Sequence, residues 1–211
     1  MNRSSKIVYA SIGTLLVLSV AIYGNFLPLR KSQILIYALR NLNESKSLEE
    51  FKNNLAVPLG FPSPIGQEET VRNVANIVVN VVQQTDKPED ISYAINFIEG
   101  YYKPIIDRGV GMSFEQNIYI LGTLNELAFM KTKEVKYLSA AHDYFEQGLL
   151  LGPKRPQFLY GMFDVYRIEG NIAGVQAVAQ QILAQWPRDE RVKSAFADFM
   201  KKVSSSTVEK K

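Results

Sequence analysis

Few side chains in this sequence have the types and spacing that chemistry requires. There is one histidine, His142 beside Asp143, and no cysteine. A lone imidazole has no second His or Cys to complete a metal site, and a general base needs positioned partners. His142 therefore reads as a surface or groove residue. The pairs Glu49-Glu50 and Glu68-Glu69 have the residue types of a two-carboxylate hydrolase. Both fall in the first turns of expected helices, where negative charge complements the helix dipole, so they read as capping groups. Gly109-Val-Gly-Met lacks the Gly-Lys-Ser/Thr ending of a phosphate loop and reads as a turn. Lys131, Lys133 and Lys136 form a basic cluster that could face anionic lipid, but Glu134 interrupts it and a solvated turn is the better reading.

Composition narrows the field further. Zero cysteine excludes disulfide scaffolds, Cys-ligated zinc, iron–sulfur clusters and thiol catalysis. With 24 Lys+Arg against 21 Asp+Glu, the net charge of +3 is too small to argue for a nucleic-acid partner. No catalytic, cofactor-binding or metal-binding constellation emerges, and a non-enzymatic protein is expected. Eleven Tyr and eleven Phe mark a chain that folds around a core.

The elements that must position these residues begin with residues 7–29, a run without a single charge. A helix of roughly 20 residues crosses the ~30 Å hydrocarbon layer. Arg3 and Lys6 precede the run, Arg30 and Lys31 close it, and Tyr9 and Tyr23 lie toward its ends, where amphipathic rings favour the interface. A single membrane span is expected. Two other readings compete: a cleaved signal peptide, with small Ser19 and Ala21 before the cut, and a buried soluble helix. The run continues past that cut, and no polar stripe interrupts it. The flanking charges nearly balance, so the positive-inside rule does not set the orientation.

Beyond the anchor the chain reads as helix after helix. Ser47-Leu-Glu-Glu offers a capping box. Residues 58–66, with three prolines and two glycines, predict a rigid loop. Residues 67–84 and a segment starting near Asp90 predict helices, and residues 104–111 a loop. Ser113, with Gln116 at N3, predicts a capped helix running to about Lys131. Pro153 and Pro187 then stand 34 residues apart, the tetratricopeptide period. Counting back from Pro153 places Ala141, Phe145 and Gly148 at the small, aromatic and small positions of a second helix. In the next unit these positions hold Val175, Ala179 and Ile182, large and small having changed places. A helix at about residues 189–203 would cap the array. A generic helical bundle is the competing reading.

The expected fold is all-α, a transmembrane helix followed by a tetratricopeptide-like solenoid. Its segments are a basic start (1–6), an anchor (7–29), a helical linker region (30–112), helical hairpins with a capping helix (113–203) and a flexible tail (204–211). The first helix of each hairpin would line a concave groove, which places Thr123, Glu126, Met130, Gln157, Tyr160, Asp164 and Arg167 there as partner-binding residues. Tyr and Arg are frequent anchors of interfaces.

The layout resembles a family. "YGNFLPLRKSQILIYAL" after an apolar helix, "LEEF", "PSPIGQEETVRNVA", "ILGTLNELAF" and the hairpin segment ending "ILAQWP" are similar to the carboxy-terminal region of bacterial O-antigen ligase/polymerase-like membrane proteins with a tetratricopeptide tail. Asn25 to Pro28 matches the family's N-x-x-P element, and Pro64, Gly66 and Glu68 match its P-x-G-x-E element. The resemblance spans nearly the whole chain but lacks the family's multi-span catalytic domain, so no catalytic residue carries over. It implies a protein of the inner membrane with its repeat domain outside the cytoplasm, scaffolding partner proteins in surface-polysaccharide assembly. The alternative it implies is a separately encoded or truncated tail subunit completed by a multi-span glycan transferase.

Overall fold

A computed structural model of the protein describes residues 3–42, 45, 47–111 and 113–208. The Gly109-Val-Gly-Met turn and the tail each extend outside these residues. The described residues form helices and no strand. The chain divides into two compact units: residues up to Val81 together with Ser92–Gly109, and Val82–Ile91 together with the chain from Val110 onward.

The first unit opens with one continuous helical rod from Arg3 to Arg40. It consists of α1 (Arg3–Ser19), a π-helical stretch (Val20–Phe26) and α2 (Leu27–Arg40). This rod is long and apolar enough to cross a membrane, and its apolar stretch is unburied within the protein. Pro28 explains the π turns. A proline brings no N–H and crowds the carbonyl four residues back. Here the chain widens just before it, so that the Leu27 N–H reaches the Ile22 carbonyl and the Asn25 amide donates to the Val20 carbonyl at 3.3 Å.

Helix α3 (Leu48–Gly60) packs against α2. Ser47 caps it as expected, accepting the Glu50 N–H at 3.1 Å. The expected loop at residues 58–66 starts later than the proline pattern suggested. Pro58 lies inside the last turn of α3, where it costs a single hydrogen bond, and the helix ends two residues on. Helix α4 (Gln67–Gln84) buries Val71, Val74, Ala75 and Val78. Helix α5 (Pro88–Arg108) runs through Pro104, correcting the loop expected there. Pro104 and Gly100, the residue four positions back, are both exposed, so water can hydrate the carbonyl the proline leaves unbonded.

Lys31 joins the rod to the rest of this unit. It is 2% exposed, and its ammonium donates to the Phe61 carbonyl at 2.7 Å and to Gln67 Oε1 at 2.5 Å. The Gln67 amide in turn donates to the Leu59 carbonyl at 3.1 Å. A buried ammonium is tolerated only when its protons are bonded in this way.

The second unit holds α6 (Phe114–Thr132), α7 (Val135–Leu151), α8 (Pro156–Glu169), α9 (Ile172–Gln185) and α10 (Glu190–Val208). Each packs on the next, and α6 also reaches α8. Ser113 precedes α6, but its hydroxyl makes no capping bond, unlike the expectation. Asn171 does cap α9, accepting the Gly174 N–H at 2.9 Å after the left-handed Gly170. The core is a set of ring-on-glycine contacts. Phe145 is fully buried, and a Cβ on Gly122 or Gly161 would stand 2.5 or 2.6 Å from its ring. Gly148 bears likewise on Phe158. Tyr119 completes the cluster, 6.3 Å from Phe145 and 6.1 Å from Phe158 between ring centroids.

Candidate functional site

Helices α6, α8 and α10 present one face to a common cavity of about 410 Å³. Four of the expected groove residues line it: Glu126 and Met130 from α6, and Asp164 and Arg167 from α8. The remaining wall is Ile168 at the end of α8, with Asp198, Phe199 and Lys202 of α10. Sequence reasoning missed this last contribution because it treated α10 as a cap. Asp198 and Lys202 stand four residues apart on one helical face, but nothing in that spacing says which neighbours they meet.

The electrostatics of the cavity are organised around Asp164. Its Oδ1 accepts from Arg167 Nη1 at 2.8 Å, and its Oδ2 lies 3.6 Å from Arg191 Nη2. The Arg167 guanidinium also lies over the Phe163 ring, 5.5 Å from its centroid, a second contact that restrains it. Glu126 faces this cluster from α6. Burial, and then the Asp164 charge, push its carboxyl up to about 7, with Arg191 acting in opposition. Glu126 is thus poised between a neutral donor and a charged acceptor near neutral pH. Met130, 51% exposed, gives the mouth of the cavity an adaptable apolar surface.

Three expected groove residues lie elsewhere. Thr123 and Gln157 are half-buried on α6 and α8, outside this cavity. Tyr160 lines a second cleft of about 680 Å³ with Pro156 and the Gln185–Asp189 turn. Its ring stacks on Trp186 at 6.1 Å, and its hydroxyl donates to Asp189. That bond raises the Tyr160 hydroxyl and holds the Asp189 carboxyl below its ordinary value. Asp189 also accepts the Val192 N–H at 3.0 Å, so it caps α10. Tyr160 therefore braces the entry to α10, while Arg167 and Asp164 face the groove.

The residues weighed earlier for chemistry are accounted for. His142 Nδ1 meets Glu169 Oε1 at 2.8 Å and its ring sits edge-on to Tyr166, so it ties α7 to the end of α8. Glu68 pairs with Arg108. Lys131 pairs with Asp86 at 2.6 Å, and Lys136 with Glu134 at 2.7 Å. Among the described residues no group of three or more His, Cys, Asp or Glu side chains is placed to hold a metal ion.

No family model matches the chain, and neither a curated protein nor a solved structure matches it.

Proposed function

We propose that the protein is a membrane-anchored, non-catalytic helical scaffold that binds a partner protein in the groove between α6, α8 and α10. The observation that carries this reading is the convergence of Glu126, Met130, Asp164 and Arg167 on one cavity, with α10 closing it. A restrained arginine, a titrating carboxyl and a methionine are the parts of a peptide-binding surface. Contacts of each helix with the next, and of α6 with α8 across α7, support a tetratricopeptide-like stacking of hairpins. A groove built on rigid helices gives up little ordering entropy when it binds. The anchor is α1 with the π-helical stretch, and its length and apolarity support a single span. The inner-membrane address, the extracytoplasmic repeat domain and the link to surface-polysaccharide assembly rest on the motif resemblance alone.

Site-specific photo-crosslinking in living cells tests the binding reading. A photoreactive amino acid at Met130 should give a discrete protein adduct, and Arg167→Ala should reduce its yield at least about tenfold, the loss expected for one hot-spot residue. Absence of any adduct, or an adduct indifferent to Arg167→Ala, would overturn it.

A further inference from the structure

The strongest unassigned feature is the loop at residues 61–66 and its position relative to the anchor. The uncharged run ends at Leu29, so a spanning helix leaves the hydrocarbon at about that residue. Lys31 lies two residues further on, about 3 Å along the axis. Its ammonium bonds directly to the Phe61 carbonyl and to Gln67, which brackets the loop. The chain geometry agrees with this placement. Helix α2 rises from Lys31 to Asn41 over about 15 Å, and α3, about 20 Å long, packs against it and returns. The end of α3 thus comes back to the level where the anchor emerges.

The loop itself is chemically suited to that level. Residues 53–67 contain no charged side chain. Ile65 is 59% exposed, and Pro62 and Pro64 are exposed beside it. The prolines bring no N–H groups that would need hydration. The one hydroxyl, that of Ser63, is donated within the loop to the Ile65 carbonyl at 2.7 Å. Arg30, next to Lys31, is exposed and forms no ion pair among the described residues. Leu29 is likewise 59% exposed. An apolar, uncharged loop beside an exposed guanidinium with no ion-pair partner among the described residues matches the lipid interface, where rings and aliphatic groups sit among headgroups and arginine meets phosphate.

We propose that residues 61–66 rest in the headgroup layer as a second, interfacial membrane contact, with Arg30 on lipid phosphate and Lys31 fixing the loop at that depth. This inference rests on α1 being a membrane span. The native chain has no cysteine, so Ile65→Cys and, higher on α3, Asn53→Cys each carry one fluorophore in the full-length protein. Both are reconstituted into phosphatidylcholine vesicles with and without phosphatidylglycerol, using acyl chains brominated near the headgroup. The label at position 65 should be quenched at least about threefold more than the label at position 53, and more strongly in the anionic vesicles. Arg30→Gln should remove the anionic increment, and Arg30→Lys should keep most of it. If the chain resists alkaline washing but both labels are equally unquenched, the loop proposal falls while the span stands. If the chain washes off, the span and the proposal fall together. A label at 65 shielded from iodide in water yet untouched by brominated lipid would mean that protein covers the loop, and would also overturn the proposal. An anionic increment unchanged by Arg30→Gln would overturn the role of the guanidinium.

Discussion

At the residue scale, the second unit depends on hydrogen atoms standing where a methyl group would fit most helices. Gly148 meets the Phe158 ring, and Gly122 and Gly161 meet Phe145 from either side. Gly148→Ala should destabilise the protein by roughly 1–3 kcal/mol, the usual cost of overpacking a filled core. Thermal unfolding by circular dichroism checks this, and Gly122→Ala should be partly rescued by Phe145→Leu. Asn117 is fully buried, and neither its amide oxygen nor its nitrogen has a partner among the described residues. Asn117→Leu should therefore stabilise by about 1–3 kcal/mol; a lower midpoint would show that the amide is satisfied in solution. Glu126 gives a pH signature. Its folded carboxyl titrates at about 7 against an ordinary 4.5. Between these values the folded state keeps a proton that the unfolded state has lost, so stability falls as pH rises through that window and levels off above it. The loss should be about 3 kcal/mol, and Glu126→Gln should flatten the slope between pH 5 and 7.5.

At the element scale, the sharpest test lies in the two-residue connection of α6 to α7. Lys133 ends α6 in the left-handed region at φ 61°, the only non-glycine with positive φ among the described residues. Lys133→Gly should gain about 1 kcal/mol by relieving the Cβ strain of that conformation, read as a shift in denaturant midpoint with unchanged slope. Elements like this show what was legible before the structure. The Ser47 cap and the alternation of Ala141, Phe145 and Gly148 on a buried face are local signals, each set by neighbours within one or two turns, and they appear where expected. Pro58 and Pro104 misled because a proline need not break a helix where the orphaned carbonyl can be hydrated, or where the helix is about to stop. Pro104 sits on a wet face, and α3 stops just after Pro58. Four of the residues of α6 and α8 that line the cavity of about 410 Å³ were among those picked from the sequence, but its third wall was not. That α10 turns Asp198, Phe199 and Lys202 toward α6 and α8 is a long-range fact that no period in the chain encodes. Tyr160 was misplaced for a related reason, since its partners Trp186 and Asp189 lie a whole hairpin away.

At the scale of the whole molecule, the proposed span makes orientation decisive: it would set which compartment the cavity between α6, α8 and α10 samples. Single cysteines at the exposed Ser139 and Ser204, treated with a membrane-impermeant thiol reagent, should label in intact cells (or once only an outer membrane is opened). Labelling that requires lysis of the inner membrane would place the groove in the cytoplasm and remove the polysaccharide reading. The buried Lys31 bears on how that orientation is chosen. Its partners, the Phe61 carbonyl and Gln67, lie 30 and 36 residues downstream, so if the apolar helix is the proposed anchor it would emerge and be sorted before either is available. At that moment Lys31 would be a bare cation beside Arg30, counted with Arg40 against Arg3 and Lys6 in the contest that sets topology. The finished protein conceals that charge. Lys31→Gln should then act twice in a cell, first by shifting the vote of the nascent chain and later by loosening the folded joint, so a topology assay and a stability assay on the one variant would report separate events in its lifetime.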